Sequence, residues 1–167
     1  MTSRDEDLPA EPSSPACAMH EADDAYMGYA GRPELLAFLT LLLQAERAGA
    51  LVARHSAEAA GTGEAATLLN AIAADEARWC AMLARHITAL GGVPGDAVGE
   101  FRDKAMAIEN LAERIGFLNR GQRWVVRKLE EMLPRVRADQ LHADLRDMAR
   151  SHAANIERAE GFSEPPG

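Results

Sequence analysis

Glu46, Glu76, Gln122 and His152 are the residues of this chain best placed to do chemistry, because each interrupts an apolar stripe that recurs at helical spacing. At about 100° per residue, the inward stripes can be read directly. The first is Leu35, Leu39, Leu42, Glu46, Gly49, Ala53, and the second is Leu69, Ile72, Glu76, Cys80, Leu83, Ile87. The third is Leu111, Ile115, Leu118, Gln122, Val125, Leu129, and the fourth is Leu141, Leu145, Met148, His152, Ile156, Ala159. Their heights agree as well. Measured from a turn at position 62, Glu46 lies 16 residues before and Glu76 14 after; measured from a turn at 136, Gln122 lies 14 before and His152 16 after. At ~1.5 Å per residue, a bundle would gather the four side chains into one central layer. Two carboxylates buried there cost several kcal/mol each unless they are paired or bind a cation.

The elements that must hold this layer are marked by their ends. Pro33 with Glu34 opens a first helix that runs to about Ala60, where Gly61-Thr62-Gly63 stops it. A second helix runs from about Glu64 to Leu90 and ends at Gly91-Gly92, with Pro94 beyond. Residues 92–109 form a long connection with a short helical turn around Lys104. Asn110 followed by Glu113 has capping-box spacing and opens a third helix that ends at Pro134. A fourth begins near Asp139 and continues to Gly161. The expected fold is all-α, an antiparallel four-helix bundle with a long crossover between helices 2 and 3.

Composition agrees with this reading. The chain has 167 residues, one domain's worth, and is 47% hydrophobic but only 5% aromatic, so its apolar mass is Ala and Leu, a helical composition. Residues 1–24 hold seven acids against Arg4, and removing them takes the formal charge from −8 to about −2. With Pro9, Pro12 and Pro15 and no apolar period, that segment reads as a disordered acidic tail before a single domain over 25–167. The near-neutral remainder gives no reason to expect nucleic acid or an anionic membrane surface as partner. The longest apolar run, Leu35 to Leu43, is broken by Thr40 and falls short of a membrane span. An acidic, Pro-rich segment over 1–24 is not the pattern expected of a secretory signal. Cys17 and Cys80 make no disulfide framework, so a reducing cytoplasm is the expected location.

With these residues in place, the chain resembles the ferritin-like superfamily of carboxylate-bridged metal proteins, in which two helices each give a Glu and two give Glu-x-x-His. Glu46 matches the lone Glu of the first helix, Glu76 the Glu of the second, and His152 the last His. Trp79 stands three after Glu76 where His belongs, Gln122 replaces the Glu of the third helix, and Ala149 replaces that of the fourth. The stretches AERAGA, DEARWCAMLARHI and FLNRGQRWVVRKL are similar to an uncharacterised bacterial ferritin-like family. With three of the six family ligands replaced, the expected metal centre is mononuclear rather than dinuclear, with Glu46, Glu76 and His152 as ligands to Fe, Mn or Zn. Gln122, Asn119 or Asn155 would hydrogen-bond a bound water. The function implied is a metal-dependent oxidoreductase or metal-handling bundle. The alternative is a metal-free helical interaction module in which protonated His152 satisfies both Glu residues and the amides complete a buried network.

Other candidates read as structure. Cys80 lies one turn after Glu76 and could be a soft ligand, but buried Cys is usually a small hydrophobe. Trp79 and His86 fall at the edge of the second core arc, and His55 and His142 on the surface. Arg114, Arg120, Arg123, Arg127 and Lys128 alternate with Glu113, Glu130 and Glu131, as on a solvated salt-bridged face. Phe117 and Trp124, seven apart on the outward arc of helix 3, predict a covered surface, either under Tyr26 and Tyr29 or, preferably, in a homodimer.

Overall fold

The computed structural model describes residues 24–163, most of them helical, with an irregular stretch over 92–99. Four long helices carry the fold: α1 (Arg32–Ala60), α2 (Glu64–Ala89), α4 (Leu111–Met132) and α5 (Asp139–Ser163). A short α3 (Phe101–Met106) lies within the connection between α2 and α4, and a 3₁₀ turn (Leu133–Arg135) follows α4. The element ends fall within a residue or two of the sequence expectation. Of the expected tail over 1–24, only Asp24 lies inside the described residues, where it is ion-paired with Arg137.

The punctuation acts as its chemistry requires. Pro33 sits in the first turn of α1, where its missing N–H costs nothing. Gly61 and Gly63 take φ of +71° and +115°, a region closed to most side chains, and this reverses the chain between α1 and α2. The Asn110 side chain accepts a hydrogen bond from the Glu113 backbone N–H at 3.0 Å, which caps α4. Arg114, expected in solvent, is instead buried and donates through its guanidinium to the Ile108 carbonyl at 2.9 and 2.6 Å. It ties the end of the connection to the helix that follows.

α1 packs mainly on α2 and α4 mainly on α5, and the two hairpins face each other through α1 with α4 and α2 with α5. α2 and α4 therefore occupy opposite corners, and the connection between them lays α3 against α1 and α4. By length and composition, α1 is the one helix among the described residues able to cross a membrane. The expectation drawn from Leu35–Leu43 alone understated its hydropathy. Here Leu39, Leu42, Leu43, Val52 and Ala53 on α1 are fully inside the bundle.

The core is divided. One apolar cluster includes Leu39, Leu43, Leu83, Leu129 and Leu145, and a second includes Val52, Leu69, Ile72, Ile115 and Leu118. In all four long helices the buried hydrophilic residue of the central layer falls between the two clusters.

Replacing Asn110 with Ala removes the α4 cap and should cost ~1 kcal/mol, lowering the thermal midpoint by about 2–4 °C. Asn110→Asp, which keeps an acceptor, should retain most of that stability in the same calorimetric scan.

Candidate metal centre

The bundle does assemble the expected layer. Glu46, Glu76, Gln122 and His152 are each at most 3% exposed, so none is served by bulk water. His152 is held on both sides: its Nε2 lies 3.1 Å from Glu46 Oε1 and its Nδ1 lies 3.3 Å from Gln122 Oε1. Gln122 Oε1 can only accept, so Nδ1 is the donor in that contact. The imidazole is thereby fixed with Nε2 toward the carboxylate.

Glu76 arrives in the layer through a gap. A Cβ at Gly49 of α1 would lie 2.8 Å from Glu76 Cδ, so the missing side chain at Gly49 is the space the carboxyl occupies. Burial raises the pKa of this carboxyl well above the ordinary 4.5, and the neighbouring Glu46 and Asp75 raise it further. Removed from water and facing other acids, the group holds its proton. Cys80 is half-buried, and its thiol is pushed up to about 12, first by burial and then by Glu46, so it stays an unreactive thiol.

Three buried polar atoms of the layer lack partners: Glu46 Oε2, Glu76 Oε2 and Gln122 Nε2. Such atoms cost ~1–3 kcal/mol each when left alone. Among the described residues, no three His, Cys, Asp or Glu side chains stand together as a ready-made cation site. Glu46 and His152 are in contact, and Glu76 sits apart against Gly49.

Asn119 and Asn155 are also buried. Asn119 donates to the Ile156 carbonyl at 3.2 Å, and Asn155 donates to Asp75 Oδ2 at 3.1 Å. Lying three residues from Gln122 and from His152, they are a turn away from the layer, and their amide N–H groups tie helix to helix, while Asn119 Oδ1 stays buried without a partner. Asp75 also accepts from Ser151 at 3.2 Å, which makes it a tie between α2 and α5. His86, expected as packing, pairs with Asp144 at 2.7 Å.

A cavity of about 480 Å³ reaches the layer from the surface, ending on Glu46, Glu76, Gln122 and His152. Leu41 and Ala45 of α1 form one side, Phe117 and Trp124 of α4 the other, and Phe101 of α3 closes the end. Phe101 stacks on Phe117 with ring centroids 4.9 Å apart. This approach depends on Gly121, where a Cβ would stand 2.7 Å from Phe101 Cζ. Phe117 and Trp124 are thus half-buried cavity walls, and Tyr26, 91% exposed, does not cover them. Arg120 and Arg127 also line the cavity while remaining exposed. The signal for this wall was the 3-4-3 spacing of Phe117, Arg120, Trp124 and Arg127.

Residues 33–161 match the family model described as "Domain of unknown function (DUF6306)". The chain belongs to that family. No curated protein matches it. Among solved structures it is similar to the "crystal structure of ferritin like, diiron-carboxylate proteins from Bacillus anthracis str. Ames". That likeness has a TM-score of 0.68 at 18% identity and covers 80% of this chain and 97% of the other. The fold is therefore a ferritin-like helical bundle.

The buried Glu76 makes stability depend on pH in a fixed direction. Its folded pKa is raised, so its stabilisation is complete below about pH 4.5 and is lost as pH rises toward the folded value. The slope approaches ~1.4 kcal/mol per pH unit where only the unfolded chain has lost the proton. Urea midpoints of EDTA-treated protein between about pH 5 and 8 should fall more steeply for the wild type than for Glu76→Gln. Parallel curves would mean that Glu76 ionises as it does in the unfolded chain.

Proposed function

We propose that this protein is a metal-handling bundle that holds one divalent cation, Fe, Mn or Zn, between Glu46, Glu76 and His152. The observation that carries the reading is the set of unpartnered buried atoms at the cavity floor, Glu46 Oε2, Glu76 Oε2 and Gln122 Nε2. The donors suit one ion. Two donors that share a cation at ~2.1 Å each stand ~3 Å apart, as His152 Nε2 and Glu46 Oε1 do at 3.1 Å. The second imidazole nitrogen rests on Gln122 Oε1, an arrangement that orients metal-binding histidines. Two carboxylates also balance one divalent charge. Glu76 must leave its seat against Gly49 to complete the set, and the cavity beside it gives the room. A dinuclear site is not supported, because Trp79, Gln122 and Ala149 supply no anionic or imidazole donor.

A bound cation would supply Lewis acidity and, if redox-active, electron transfer at the end of a cavity open to small molecules. Gln122 would hold the imidazole through Nδ1, and the apolar walls would exclude water around it. The neighbour whose description names a diiron-carboxylate protein supports metal handling in this fold. The direct Glu46–His152 contact supports the second reading, a metal-free interaction module whose partner is a second copy along Phe117 and Trp124. A micromolar monomer in sedimentation would remove that partner.

Purified protein should take up close to one equivalent of Fe(II), Mn(II) or Zn(II) per chain. At a hundredfold excess over Kd, the bound form should gain ~2.7 kcal/mol of stability. Glu76→Gln should abolish uptake while keeping the fold. Substoichiometric metal with no thermal shift on adding any of the three ions would leave the metal-free module.

A further inference from the structure

We propose that the cavity between α1 and α4 binds an amphipathic carboxylate, with its apolar body packed between the aromatic wall of Phe101, Phe117 and Trp124 and the Leu41–Ala45 side of α1, and its anionic head on Arg120 and Arg127 at the surface. This goes beyond the metal reading and does not depend on it, because the residues concerned lie above the polar layer.

The argument starts from the arginines. Most basic groups on α4 are engaged: Lys128 pairs with Glu131 at 2.7 Å, Arg123 with Glu160 at 2.7 Å, and Arg114 is spent on the Ile108 carbonyl. Arg120 and Arg127 form no ion pair among the described residues, and both line the cavity. Arg120 is held over the Phe117 ring at 5.2 Å, which presents a guanidinium beside the aromatic wall. Glu100, the exposed acid of the lining, is already paired with Lys104 at 3.0 Å, and Glu46 and Glu76 lie buried in the layer below. The uncompensated charge at the cavity surface is therefore positive, and the walls behind it are aromatic and aliphatic.

That combination selects for charge and for apolar surface together. Guanidinium matches a carboxylate in geometry as well as in sign. A cavity of about 480 Å³ falls in the range that encloses a small organic ligand. A cationic amphiphile would meet two like charges at the surface, and a neutral one would leave them unused. Gly121, by admitting Phe101 against α4, keeps the third ring in the wall.

Calorimetric titration of the full chain with decanoate, decanol and decylamine tests this, each below its aggregation concentration and in both EDTA-treated and Zn(II)-supplemented protein. Decanoate should bind once per chain and at least tenfold more tightly than decanol or decylamine, whether or not Zn(II) is taken up. Arg120→Gln with Arg127→Gln should remove that preference and leave decanol binding unchanged, while the double Lys variant should keep it. Ala45→Phe, which fills the cavity from α1, should abolish decanoate binding at an unchanged thermal midpoint. Equal affinity for acid and alcohol, tighter binding of the amine, unsaturable uptake, or an unaltered preference in the double Gln variant would overturn the proposal. Decanoate binding without Zn(II) uptake would sink the metal reading alone.

Discussion

Everything in this bundle is arranged around the cost of placing two carboxyl groups inside it. Taken from water into a packed interior, each would lose more than any single contact returns. The chain reduces that cost by separate means. Glu46 is set against an imidazole, which is itself anchored on an amide. Glu76 is kept protonated by its burial and fitted into the space of an absent side chain. What is left over, the three unpartnered polar atoms at the cavity floor, is the part of the cost that the protein does not meet with its own groups. The cavity leads to the place where the interior is least satisfied.

The helical frame was legible because its limits are written in residues with strong local effects. Proline at the start of α1, glycines with positive φ after it, and the Asn110 cap act within a turn or two of the chain. They need no tertiary knowledge. The central layer was legible for a related reason: when two helices are joined by a short turn, counting residues from the turn gives the height of each side chain. Glu46, Glu76, Gln122 and His152 could be brought together by arithmetic on the sequence alone.

The remaining features depend on direction and on what covers a helix, and neither has a period. Asn119 and Asn155 are buried as expected for a layer residue, yet one turn is enough to send their amides to Ile156 and Asp75. Arg120, Arg127, Phe117 and Trp124 read as an outer face because only the other three long helices were considered as neighbours. The connection changes that surface by placing Phe101 on it, through a glycine whose meaning appears only once both chains of atoms are present. His86 and Asp144, 58 positions apart, could not be matched by any local pattern.

The division of the core bears on how the molecule comes apart. Two apolar clusters separated by a polar layer would ordinarily suggest two units that open independently. Here every long helix runs through the layer, giving residues to the cluster on each side of it. A boundary drawn across the bundle cuts all four helices at mid-length, and a boundary drawn along it splits both clusters at once. Neither half of the core owns a complete long helix. The polar layer therefore marks no boundary along which one half of the bundle could unfold and leave the other intact.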